Sequence, residues 1–214
     1  MFMTHPSSIL PPPPPPLCSN LSNSCLLDTI FSSHTPVPMF RDVLTNSPEC
    51  DDPYEFDLHK IAYLARERDM LASQHGDDTP KVLNLTAVAF HESRCGSTLV
   101  ANSMIAMDPT KHRTYSESPP PVYVLRQLCG QDYSTCSLDM AATVLRDVVY
   151  MMSRTADPRE ERVFFKFQSI SSKYIEIFTT AFPNVPWMYI YRDPVQVMMS
   201  HVKDDETLSR ANCV

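Results

Sequence analysis

Three places in the sequence set cations or hydroxyls directly after an apolar run. "FHESRCGSTLV", residues 90–100, carries Arg94, Gly96, Ser97 and Thr98 between a strand-like run and a helix-like one. "RVFFKF" reaches Lys166 near its end, and "YIYRDPVQVMMS" carries Arg192 with Ser200 eight positions later. A helix starting at Ser97 would expose unpaired amide hydrogens and a partial positive end, and Gly96 would let the backbone come close to an anion. The loop alone serves a plain strand-to-helix turn equally well. The other two strand ends favour a bound polyanion, because ligands of an open parallel sheet sit beyond the carboxyl ends of its strands. A nucleoside-triphosphate loop of the form G-x-x-x-x-G-K-[ST] is disfavoured, since His91 stands at the first glycine position and Ser97 at that of the lysine.

The elements that must position these residues follow from periodicity. "VLNLTAVAF" reads as a strand, "STLVANSMIAM" as a helix and "DPTKHRTYSESPPP" as a polar connection. "SLDMAATVLRDVVYMMSR" reads as a long helix, "SRTADPREER" as a solvated charged loop and "RVFFKFQ" as a buried strand. "SKYIEIFTTAF" gives a helix, "VPWMYIYR" a strand, and "DPVQVMMSHVK" a helix opened by Asp193 at its N-cap and Pro194 in its first turn. Strands alternating with helices predict a parallel sheet flanked by helices. From Pro53 to His75, Leu58, Ile61, Leu64 and Leu71 fall near one face and predict an amphipathic covering helix, ended by Gly76. Met151, Met152, Met198 and Met199 read as core packing on helices.

Composition bounds what such a domain meets. The 214 residues allow an α/β domain over 53–214, with its core at 82–203, behind an arm over 1–52. "SSILPPPPPPLCSNLSNS" makes that arm disordered or a stiff spacer, and Pro11–Pro16 offers a motif to an SH3-type or WW-type partner. A formal net charge of −7 argues against nucleic acid and anionic lipid as partners. No run approaches the ~20 apolar residues of a membrane span, and no targeting segment is evident, which slightly favours a cytoplasmic location. Seven cysteines without a C-x-x-C pair argue for reduced thiols rather than a disulfide framework or a zinc site.

"ESRCGSTLV" resembles the 5′-phosphosulfate loop of the sulfotransferases that use 3′-phosphoadenosine 5′-phosphosulfate (PAPS), which have a P-loop NTPase-like fold. "YRDPVQVMMS" is similar to their 3′-phosphate motif, an arginine with a serine eight positions later, and "FFKFQS" and "FPNVPWMYIYRDP" resemble the run between the two. The resemblance covers about Val82 to Val202, roughly half the chain. It implies PAPS as co-substrate, no metal, and a hydroxyl-bearing acceptor: a sugar, a peptide tyrosine, a lipid or a small alcohol. Arg94, Cys95 at the small-residue position, Gly96, Ser97 and Thr98 would hold the 5′-phosphosulfate, and Arg192 and Ser200 the 3′-phosphate. Lys166 would assist the leaving group together with Arg94. Glu117 matches the place of the base in one branch of the family, while Gln168 stands where another branch has histidine. His91 is a further candidate for the base.

Family members continue well past the 3′-phosphate motif, whereas this chain stops at Val214, so either it is a fragment or a lid over the nucleotide has been lost. Two functions therefore remain open. One is PAPS-dependent sulfuryl transfer, favoured by Arg94, Lys166, Arg192 and Ser200. The other is a catalytically inactive sulfotransferase-like binding protein that recruits partners through its proline tract.

Overall fold

The computed structural model describes residues 57–76, 80–130 and 137–201; the proline tract Pro11–Pro16 and the rest of the expected arm lie outside them. Helix α1 (Leu58–Gln74) comes first, capped by Asp57, whose carboxylate accepts from the Lys60 amide at 2.9 Å. There follow β1 (Lys81–Val82), β2 (Asn84–His91), α2 (Ser97–Ala106), β3 (His112–Ser116) and α3 (Pro119–Cys129). The chain continues through α4 (Leu138–Met152), β4 (Arg154–Thr155), β5 (Arg162–Lys166) and a 3₁₀ turn over Ser169–Tyr174. It closes with α5 (Ile175–Ala181), β6 (Trp187–Ile190) and α6 (Pro194–His201).

The main sheet has four parallel strands in the order β3-β5-β2-β6, and β1 and β4 form a small antiparallel pair. Side chains alternate across the pleat. Val88, Phe90, Tyr115, Val163 and Phe165 pack with α3, α4 and α5, where the rings of Phe90, Phe167 and Phe178 lie 5.4 to 6.1 Å apart. Ala89 and Phe164 face α2 on the other side, against Val100 and Met104. The chain moves from β2 to β3 across one face and returns across the other, as right-handed crossovers require. Connections thus diverge from the end of β2, which is where open parallel sheets place their ligands.

Several elements depart from the sequence pattern. The segment "DPTKHRTYSESPPP", predicted as a polar connection, contains β3, whose His112, Arg113 and Thr114 are buried. Period-2 apolarity is absent from this strand, and partners elsewhere in the fold take up the polar groups of His112, Arg113 and Tyr115. His112 Nδ1 lies 3.0 Å from the Met104 carbonyl, and Arg113 meets Glu160 from the predicted solvated loop. Pro119–Pro121 form the first turn of α3, since proline is tolerated where helix amides would lack partners.

Helix α1 forms as predicted but buries another face. Ala62 and Ala65 are covered while Leu64 and Leu71 are about half exposed. Ion pairs decide its seat on α4. Buried Asp147 accepts from Arg66 at 2.7 Å, and Asp69 takes Arg154 and the Tyr150 hydroxyl. Met198 and Met199, predicted as core, are exposed on α6, and the edge strand β6 leaves Trp187, Met188 and Tyr189 partly open. Cys129 is disulfide-bonded, against the expectation of reduced thiols, while Cys95 is free. An odd count leaves room for both states. No helix among the described residues is long and apolar enough to cross a membrane.

Candidate functional site

The carboxyl ends of all four parallel strands open on one edge. Beyond β2 the chain runs through Glu92, Ser93, Arg94 and Cys95 to Gly96, the N-cap of α2. Gly96 has φ 88°, and a Cβ added there would meet nothing within 4 Å. Glycine is therefore required by backbone angle and not by crowding, and the space above the helix end is open. Gly96 provides no side-chain cap, so the first amides of α2 are left for another acceptor.

Two non-glycine residues among those described have positive φ, Arg94 at 62° and Glu117 at 54°. Both belong to this edge. Such angles cost about 1–3 kcal/mol each and persist where the surroundings enforce them. Arg94 Nε donates to Ser200 Oγ at 3.4 Å and its Nη2 to the Ser200 carbonyl at 3.2 Å, tying the loop after β2 to α6. Glu117 is held from two sides. Its amide donates to the Lys166 carbonyl at 2.7 Å, and its carbonyl accepts from Gln168 Nε2 at 3.2 Å.

Lys166 ends β5 with its side chain fully buried. It shares a face with Phe164 and so points to the α2 side, as do Ser116 and His91 at the ends of their strands. Its ammonium donates to Glu117 Oε1, which is the one partner of that ammonium among the described residues. An ammonium has three N–H bonds, so this buried cation has donors to spare. His91 Nε2 lies 3.5 Å from the same Glu117 oxygen. Burial pushes the pKa of His91 down, and the charge of Lys166 adds to this; the carbonyl of Glu92 and the carboxylate of Glu117 oppose it.

Polar atoms without partners concentrate here. His91 Nε2, Ser116 Oγ and Ser118 Oγ are buried and unpaired, with Thr114 Oγ1 one pleat below Ser116 and Ser171 Oγ in the 3₁₀ turn. Ser118 has a specific reason. It is the N-cap of α3, and the three prolines behind it offer no amide for its hydroxyl to accept.

The predicted residues thus fall at one edge of the sheet. Arg94 meets Ser200, and Glu117 meets Lys166. Arg192 lies two residues beyond Ile190, which pairs with His91, so Arg192 and Arg94 leave neighbouring strand ends. Arg192 is exposed, with Nε donating to Gln196 at 2.7 Å, and the predicted Asp193 cap accepts from the Gln196 amide at 3.1 Å. Ser97 is buried, Thr98 and Cys95 are half-buried, and none of the three sits away from the loop. Sequence reasoning missed Ser116 and Ser118. Their signal was a glutamate flanked by serines ahead of three prolines, a setting in which the hydroxyls lack local amides. No group of three His, Cys, Asp or Glu side chains among the described residues is placed to hold a metal ion.

Comparison with family models, with curated proteins and with solved structures yields no match for this chain.

Proposed function

We propose that this chain is a PAPS-dependent sulfotransferase with a P-loop NTPase-like fold. The observation that carries the reading is the meeting of Arg94 and Ser200, which joins the loop assigned to the 5′-phosphosulfate with the helix assigned to the 3′-phosphate. Three features of the edge support it. The amides at the start of α2 and the open space at Gly96 suit an anionic group. Buried Lys166 has spare donors for the charge that develops on a departing bridging oxygen. Arg192 follows β6, the strand that adjoins β2.

In this reading Arg94 turns from Ser200 to the sulfuryl end, Ser200 and Arg192 hold the 3′-phosphate, and the backbone at Gly96, Ser97 and Thr98 fixes the 5′-phosphate. Glu117 takes the proton of the acceptor hydroxyl. The co-substrate supplies the sulfuryl group; the chain supplies position and charge.

The test is thermal unfolding with 3′-phosphoadenosine 5′-phosphate against ATP. A shift with the first and none with the second is expected, and Arg192→Ala should remove most of it. Equal shifts, or a full shift in Arg192→Ala, would overturn the assignment.

A further inference from the structure

His91 is the least expected member of the site, and its hydrogen bonds fix its state. Its Nδ1 lies 2.7 Å from the carbonyl oxygen of Glu92. A carbonyl only accepts, so Nδ1 carries the hydrogen and Nε2 of the neutral ring carries a lone pair. That lone pair is buried and without a hydrogen-bond partner, and it faces Glu117 Oε1 at 3.5 Å. Two acceptors facing each other gain nothing from the contact until a proton lies between them.

The charged surroundings are few. Glu117 comes from the end of β3 and Lys166 from the end of β5. The 3₁₀ turn presents the hydroxyl of Ser172, which donates to the carbonyl of His91 at 3.3 Å, the backbone of Phe167 acts on the ring in favour of the imidazolium, and β6 presents Ile190. Arg94, three residues along, is exposed and directed at Ser200.

We propose that His91 Nε2 and Glu117 form a pair able to hold one proton between them, and that this is the proton taken from the acceptor hydroxyl, which Glu117 accepts and passes to His91. The inference deepens the sulfotransferase reading and rests on it for the transfer step. As the acceptor O–H bond breaks toward the Glu117 carboxylate, the acceptor oxygen bonds to sulfur. The bond from sulfur to the bridging oxygen breaks, and that oxygen keeps the electron pair on the departing 3′-phosphoadenosine 5′-phosphate. A proton left on Glu117 would weaken its ion pair with buried Lys166. Passing it to the His91 lone pair restores that pair and leaves an imidazolium, which releases the proton to solvent as the products go. His91 is therefore a positioning residue for the proton, acting through Glu117.

Long-range ¹H–¹⁵N NMR of the histidine-labelled protein without nucleotide tests the pair directly. The expected result is a His91 ring in the Nδ1–H tautomer near neutral pH, with its titration moved to lower pH in Glu117→Gln because the carboxylate favours the imidazolium. An Nε2–H tautomer, or an identical titration in Glu117→Gln, overturns the proposal. In a second arm, release of 3′-phosphoadenosine 5′-phosphate from PAPS is followed with water as acceptor. His91→Phe and His91→Gln should slow it on the order of tenfold or more, leaving the thermal shift with 3′-phosphoadenosine 5′-phosphate unchanged. An undiminished rate in both variants sinks the relay. Absence of any nucleotide shift in the wild type, with the NMR signature present, would instead remove the sulfotransferase reading and leave the proton-holding pair standing.

Discussion

Strand β3 carries a buried ion pair near each end, and the two are built to different standards. Near its start, Arg113 makes five hydrogen bonds, to both oxygens of Glu160, the Tyr115 and Thr155 hydroxyls and the Arg154 carbonyl. Glu160 is met in turn by Thr155, and Tyr115 donates to the Met152 carbonyl at 2.8 Å. Just past the other end, Glu117 and Lys166 make a single bond to each other, on a strained backbone and among unpaired hydroxyls. A buried polar network that is fully satisfied fixes a structure, whereas one left short of partners costs stability until something completes it. The difference separates a structural pair from a candidate site without reference to any relative.

The largest expected effect breaks the satisfied end. Arg113→Met strands Glu160 in the interior and should cost about 3–5 kcal/mol. Lys166→Met removes a fully buried cation with one partner and should cost markedly less, while removing the nucleotide-dependent thermal shift. Urea unfolding midpoints at unchanged slope give both values. Equal losses in the two variants would erase the distinction drawn between the two pairs.

A gentler version compares hydroxyl with hydroxyl. Thr155 accepts from Arg113 at 3.1 Å and from the Asp157 amide at 3.0 Å, so Thr155→Val leaves donors unpaired and should cost about 1–3 kcal/mol. Ser118→Ala removes a buried hydroxyl with no partner and should be neutral or slightly stabilising. A substantial loss on Ser118→Ala would mean that its hydroxyl already has a partner in the folded protein.

The two ends were also unequally legible in the sequence. The loop after β2, the Asp193 cap and the strand that precedes it could be read because glycine, capping residues and apolar runs act locally. Strand β3 could not, because "HRTYS" is held by Met104 from the preceding helix and by Glu160 and Phe164, which are distant in sequence. Helix α1 shows the same limit. Its period was readable, but the choice of face was made by Arg66 and Asp69 finding charges on and just beyond α4. Glu117 was placed by resemblance, yet its contact with His91 depends on two strand ends meeting across β5, which spacing does not reveal.

Acid sharpens the comparison further. Burial holds the pKa of His91 below its ordinary value of about 6.5, so the folded protein favours the neutral ring more than the unfolded chain does. The stability this gives is present above pH ~6.5 and is lost as pH falls from there through the folded-state value. Unfolding free energies measured between pH 8 and pH 5 should therefore decline less in His91→Phe than in the wild type. Parallel declines would show that His91 is not held neutral.

The smallest expected change concerns strain. Arg94 occupies a left-handed backbone conformation at φ 62°, which costs a non-glycine residue roughly 1–2 kcal/mol. Arg94→Gly relieves it, while the added freedom of glycine in the unfolded chain takes back about 0.5–1 kcal/mol. The two exposed bonds to Ser200 contribute little in water. The net result should be a protein as stable as the wild type or up to about 1 kcal/mol more so, with a diminished thermal shift on adding 3′-phosphoadenosine 5′-phosphate. Gly96→Ala should move the opposite way, because its neighbouring space is open and only the angle at φ 88° opposes a side chain. If Arg94→Gly instead lowered stability by more than about 1 kcal/mol, Arg94 would be a structural tie between the loop and α6, and the strain at this edge would have no ligand to explain it.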